Sequence, residues 1–134
     1  MSKQSAAIIV SNAERGFLLT RSETGEHDIL HTEIDIDETR DQAARRILEK
    51  RAGLYIGVVR FVGSITLREA HKNNGILEQE TVEYHIFTAD EGDANPHKQI
   101  PDEDIVYLPE IPRDVSVLLE HYKEQFARLD SQRH

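Results

Sequence analysis

One well-punctuated helix, set between segments that read as strands, constrains this chain more than any other feature. Thr39 is followed three residues later by Gln42, a capping-box pattern in which each side chain satisfies an orphan backbone donor at a helix start. Asp37 and Glu38 stand just ahead, where negative charge complements the positive end of the helix dipole. Ala43, Ala44, Ile47 and Leu48 fall on one face, and Gly53 supplies a residue that can adopt the left-handed conformation ending a helix. These signals predict a helix over about 39–52. Its apolar stripe needs a partner layer.

The flanking segments supply one. Ala6–Val10 and Phe17–Thr20 read as strands joined by the turn residues Ser11–Gly16, so 6–20 is expected to be a hairpin. Glu33–Asp37 alternates acid and apolar residues, which favours an extended segment with one wet face. Tyr55–Leu67 and Leu77–Thr88 are expected to be strands around a turn at His71–Gly75. Glu91–Pro101 is polar and irregular, and Ile105–Leu108 is a short strand. Val115, Leu118, Leu119, Tyr122, Phe126 and Leu129 then mark the apolar face of a last helix, with Asp130–His134 expected to fray. This order predicts an α+β or α/β sandwich, with helices on both faces of a mixed sheet, in a single domain over 1–134.

Composition removes several kinds of function. There is no cysteine, which excludes disulfides, zinc–thiolate sites and cysteine nucleophiles. The formal charge of −9 disfavours broad nucleic-acid binding and anionic membranes, though a local basic patch could hold a small anion. The apolar run Ala6–Val10 is too short for a signal-peptide core or a membrane span, so a cytoplasmic protein is expected.

The stretch Thr32–Leu54 resembles the Nudix box, and lies on it without a gap. The fixed positions of that box are a glycine, a glutamate, an Arg-Glu pair, an aliphatic residue, a Glu-Glu pair, a second glycine and a second aliphatic. Glu38, Arg46, Leu48, Gly53 and Leu54 match it, and Ala43-Ala44 and Thr39 are also typical of the family. The order of elements outside the box is similar too. The resemblance implies a Nudix-like αβα sandwich, with Glu38, Arg46 and Gly53 as structural box residues and Glu38–Arg46 bracing the loop before the helix.

The departures concern chemistry. Thr32 replaces the glycine, and Ile47, Lys50 and Arg51 replace the three helix glutamates. Nudix hydrolases use such carboxylates to hold divalent cations on a diphosphate and to activate water. Ile47 has no donor atom, while Lys50 and Arg51 would repel a cation. Ordinary hydrolysis is not expected, no catalytic residue is assigned, and no metal or cofactor is expected. Lys50 and Arg51 admit two readings. They can solvate the helix end and oppose its dipole, or they can stand in for metals and hold a ligand diphosphate directly.

Other acidic residues and the histidines bear on the same chemistry. Glu33, Asp35 and Asp37 could form a displaced metal site, and Asp102, Glu103 and Asp104 occupy the loop where some family members carry a late carboxylate. Glu78 and Glu80 share strand parity while Glu83 does not, so they read as exposed strand acids. The histidines show no two-histidine metal spacing; His31, beside the altered glycine position, is the one to follow. Three functions therefore stand open: a non-catalytic module for a nucleotide-like or other diphosphate ligand, a divergent hydrolase of nucleoside diphosphate-linked substrates using Mg2+ or Mn2+ on other carboxylates, and an interaction protein acting as a homodimer or with a protein partner.

Overall fold

The computed structural model describes residues 3–93 and 101–123. It has strands β1 (Lys3–Asn12), β2 (Gly16–Arg21), β3 (His27–Asp28) and β4 (Leu30–Glu33), then helix α1 (Arg40–Ile47). After it come β5 (Arg60–Asn73), β6 (Ile76–Asp90), β7 (Ile105–Leu108) and α2 (Val117–His121). The strands form one mixed sheet in the order β3-β2-β1-β6-β5, with β4 also pairing β1 and β7 pairing β2. β1 runs parallel to β6 and antiparallel to both β2 and β4.

Strand β1 shows why the sheet is covered on both sides. Its side chains alternate, so Ala6, Ile8 and Val10 enter one core while Ala7 and Ile9 enter the other. The first core lies beneath α1 and includes Leu18, Leu30, Ala43, Ala44, Ile47, Leu48 and Phe87. The second lies beneath α2 and includes Phe17, Leu19, Ile29, Tyr84, Ile86, Leu118 and Leu119. Ile8, Ile9, Leu18 and Leu19 are fully buried, each contributing about 1.5–3 kcal/mol relative to exposure. A continuous apolar run in the sequence is thus the mark of a strand buried on both faces.

The central helix starts where its signals place it. Thr39 is the N-cap, its hydroxyl accepts from the Gln42 N–H, and the Gln42 side chain accepts from the Thr39 N–H. Its end is less regular. Leu48–Ala52 forms a π-helical turn, closed by Gly53 at φ 69°, where a side chain would be strained. In this widened turn Leu48 and Ala52 are buried while Glu49 and Lys50 face outward.

Several boundaries differ from expectation. The extended segment ends at Glu33 rather than Asp37, because the Glu38 N–H bonds back to the Asp35 carbonyl and turns the chain into α1. β5 begins at Arg60 rather than Tyr55 and continues to Asn73, leaving Asn74-Gly75 as a two-residue turn with φ 55° and 80°. Positive φ at both turn positions suits the twist of a tight hairpin, so the strands extend further than a five-residue turn would allow. In α2, Ser116 caps the helix and Leu118 and Leu119 are buried as the apolar stripe predicts. Phe126, Leu129 and Asp130–His134 lie outside the described residues, as does most of the 91–101 loop. Among the described residues no helix is long and apolar enough to cross a membrane.

Candidate functional site

The loop and helix of 32–54 place four charged side chains whose surroundings decide what this face can do. Arg46 is the best anchored. Its Nε donates to Glu38 Oε2 at 2.7 Å, and its Nη2 donates to Glu38 Oε1 at 3.0 Å and to the Glu33 carbonyl at 2.8 Å. Asp35 adds a looser contact at 3.8 Å. Glu38 in turn accepts from the Asp35 N–H at 3.1 Å. The guanidinium of Arg46 holds the Glu38 carboxyl below the usual carboxylate range, with the Asp35 N–H assisting against the opposing effect of burial. The pair ties the end of the loop to the second turn of α1, and fixes the path from β4 into the helix.

Ile47, at the first altered glutamate position, is turned inward and is only 6% exposed in the core beneath α1. A side chain so placed packs with Ala43, Ala44 and Leu48 and offers no oxygen to an ion. Lys50 is exposed and makes no ion pair among the described residues. Arg51 behaves differently. Its Nε donates to Asp102 Oδ2 at 3.1 Å, its Nη2 pairs with Asp104 Oδ2, and its carbonyl accepts from the Asp102 N–H at 2.8 Å. The two carboxylates raise its already high pKa, against the opposing effect of burial, so its charge is permanent and locally neutralised. Asp104 also helps line an open hollow of about 610 Å³ with Arg21, Ser22, Thr24 and Glu103.

The two cations of the box are therefore not equivalent. Nothing local in the sequence tells them apart, since both occupy glutamate positions of the box. Arg51's partners lie about fifty residues away, in the loop already singled out for a late carboxylate. Opposite charge between that loop and the helix end was the one available signal.

Glu33, Asp35 and Asp37 are exposed, and they are divided among different partners. Glu33 lies 3.8 Å from Lys3, and Asp35 faces Arg46. Among the described residues, no group of three or more histidine, aspartate or glutamate side chains is placed to hold a metal ion. Glu78 is exposed on β6, whereas Glu80 and Glu83 are half-buried, Glu83 on the opposite face near His85. All three are strand acids, but of the three Glu78 alone is exposed.

His31 lies on the α2 side of the sheet. Its Nε2 is 3.1 Å from Asp28 Oδ2, and its ring meets Tyr84 edge-on at 5.4 Å between centroids. Asp28 also accepts from the Ser116 hydroxyl at 2.5 Å and from the Ile29 N–H at 2.7 Å. These groups border a cleft of about 430 Å³ closed on one side by Leu118. Tyr84 donates to Glu69 at the same cleft, and burial followed by that carboxylate pushes its pKa up, so it remains a neutral phenol.

Nothing in the sequence marks His85 as different from the other histidines, yet it is the buried one among the described residues. His85 is 7% exposed on the α1 side. Its Nδ1 receives Ser64 Oγ at 2.8 Å and Arg40 Nη1 at 3.3 Å, and its Nε2 meets Gln4 Oε1 at 2.6 Å. This pattern fits a neutral ring protonated at Nε2. Burial, opposed by Glu83 and aided by Arg40, lowers its pKa.

The fold and the box geometry define a protein class, and comparison with known proteins agrees with it. The NUDIX domain family model matches residues 1–123, so this chain belongs to the Nudix family. The structure is similar to a MutT NUDIX hydrolase from Burkholderia pseudomallei, with a TM-score of 0.65 at 14% identity, covering 93% of this chain and 98% of that one. It is similar to a MutT protein from Methanosarcina mazei Go1, with a TM-score of 0.64 at 16% identity, covering 96% and 95%. A pyrophosphohydrolase from Bacillus subtilis gives a TM-score of 0.63 at 15% identity, covering 98% and 80%. At such identities these likenesses establish the fold alone. No curated protein matches the sequence.

Proposed function

We propose that this chain is a non-hydrolytic Nudix-fold binding module, in which the face that holds metal in hydrolases is closed by its own side chains. The observation that carries this reading is the Arg51 guanidinium lying against both Asp102 and Asp104. A resident cation already satisfies the carboxylates nearest the helix end. Ile47, in the core, offers no oxygen, and Lys50 adds a second positive charge outside.

The ligand that best suits this face is a small molecule bearing a diphosphate. Lys50 is its anchor, since its ammonium is exposed and unpaired among the described residues. Arg51 can contribute only by exchanging a carboxylate for a phosphate, so its share of the affinity is reduced by the cost of leaving an aspartate unpaired. Calorimetry with a panel of nucleoside diphosphates and their conjugates, in chelator and without added metal, tests the proposal. Saturable binding that is lost in Lys50→Glu supports it. Binding that requires Mg2+ or Mn2+ and releases phosphate products would instead establish the divergent hydrolase, with carboxylates drawn to the metal from other positions.

A further inference from the structure

The β5–β6 hairpin continues past the body of the sheet. β1 joins β6 at Lys3↔Val82, so the paired residues from Arg68 to Thr81 form a ribbon with no third strand beside it among the described residues. A two-stranded ribbon is marginal by itself in water. Its two faces differ in charge. The register Leu67↔Val82 places Glu69, Glu78 and Glu80 on the α2 side. The opposite, α1-side face carries Arg68 and Lys72 with Leu77, which is 66% exposed and lies directly across from Lys72. No acidic residue of the ribbon shares that face, and neither cation makes an ion pair among the described residues.

A surface of opposite character lies at the same end of the sheet. β4 ends at Glu33, opposite Ser5, and the chain then turns toward α1. Within this turn Ile36 is 100% exposed between Asp35 and Asp37, both exposed themselves. Lys3 ties the ribbon to the chain just before the turn at this end of the sheet, its ammonium lying 3.1 Å from Glu80 on the ribbon's acidic face and 3.8 Å from Glu33. Among the described residues no ion pair joins Arg68 or Lys72 to Asp35 or Asp37.

We propose that this end of the sheet is self-complementary, and that the partner it fits is a second copy of the chain. In a two-fold dimer the basic face of one ribbon lies on the Asp35–Asp37 turn of the other copy, and the symmetry forms the same contact a second time. Leu77 then covers Ile36 at the centre, with Arg68 and Lys72 against Asp35 and Asp37 around it. Two otherwise isolated exposed apolar side chains are buried together, and the ribbon gains the support that its own sheet does not give. At long range a charge of −9 on each copy opposes association, so the local match of sign must supply the specificity. This proposal is independent of what the helix face binds.

Sedimentation velocity on the whole chain across a wide concentration range, beside two charge-reversed variants, provides the test. One variant carries Arg68→Glu and Lys72→Glu, the other Asp35→Lys and Asp37→Lys. The wild type is expected to dimerise, each variant alone to dimerise at least about tenfold more weakly, and their equimolar mixture to recover a dimer, because reversed ribbon then meets reversed turn. Circular dichroism confirms that each variant is folded. If Asp35→Lys disturbs the loop, the milder pair Ile36→Ser and Leu77→Ser is read instead, each expected to weaken the dimer. A wild type that remains monomeric throughout overturns the proposal. So does a dimer that is insensitive to the ribbon and turn substitutions, or a mixture that fails to associate when both variants are folded.

Discussion

Arg51 and Asp102 are joined twice, once through side chains at 3.1 Å and once through the backbone, where the Asp102 N–H donates to the Arg51 carbonyl at 2.8 Å. The second contact holds the loop against the helix end whatever the side chain does. The first places a positive charge where that loop's carboxylates converge. Together they join the end of the helix and the 102–104 loop in one packed junction.

Arg51→Ala is expected to cost only about 1 kcal/mol in urea unfolding, because these ion pairs are partly exposed and the backbone contact survives. Arg51→Glu is expected to cost more at low ionic strength, since it sets like charges together. It also completes a carboxylate group with Asp102 and Asp104. Manganese should therefore raise the melting temperature of this variant and leave that of Arg51→Ala unchanged. Equal responses in the two variants would separate the metal effect from this face.

Ile47 is expected to behave as a core residue. Ile47→Ala should destabilise by about 2–4 kcal/mol, as large-to-small changes in a packed core do. Ile47→Glu should be worse, because a carboxylate is forced into the apolar layer with Ala44 and Leu48. A tolerated Ile47→Glu, measured by the same unfolding curves, would show that the old ligand position is still open to solvent.

The Glu38–Arg46 pair should make stability depend on pH at the acid end. Glu38 has a folded pKa below its unfolded value of about 4.5, so the pair's stabilisation is present above that pH and is lost as pH falls through the folded pKa. Glu38→Gln should narrow the difference from wild type as acid is added. At neutral pH, removing either partner should cost about 2 kcal/mol. A constant difference across the acid range would mean that Glu38 is not held charged by Arg46.

His85 gives the opposite chemistry with the same direction of change. Its folded pKa is below the unfolded 6.5, so protons bind the unfolded chain first and stability falls as pH drops below about 6.5. Arg40 and Glu83 face the ring from α1 and β6, while Ser64 and Gln4 supply its neutral partners. His85→Gln should remove this part of the pH dependence. Stability profiles of the two proteins that run parallel between neutral pH and pH 5 would contradict the assignment.

Much of the fold was legible because its signals are local. Thr39 and Gln42 announce a helix start, Gly53 announces its end, and Ala6–Val10 is apolar on both strand faces. The π-turn at Leu48–Ala52 was not legible, since it reflects how Leu48 and Ala52 meet the sheet and how Gly53 closes the turn. The hairpin ends also escaped, because Asn74-Gly75 alone makes a tight turn inside a longer polar stretch. At the candidate site, the box substitutions were plain in the sequence. What each cation touches was not, because Arg51 meets Asp102 and Asp104 only through the chain's long-range path, whereas Lys50 is left outside. The His85 network draws on β1, β5, β6 and α1, and no local pattern predicts such a convergence.

With Arg51 against Asp102 and Asp104, the wild-type chain is expected not to perform metal-dependent diphosphate hydrolysis. Titration calorimetry with Mn2+, followed by product analysis on a nucleoside diphosphate-linked panel in the same cell contents, tests it most directly. No saturable metal binding and no metal-dependent product are expected. Saturable Mn2+ binding accompanied by phosphate-product release would contradict it, and would place a working carboxylate site where Arg51 now reads as a lock.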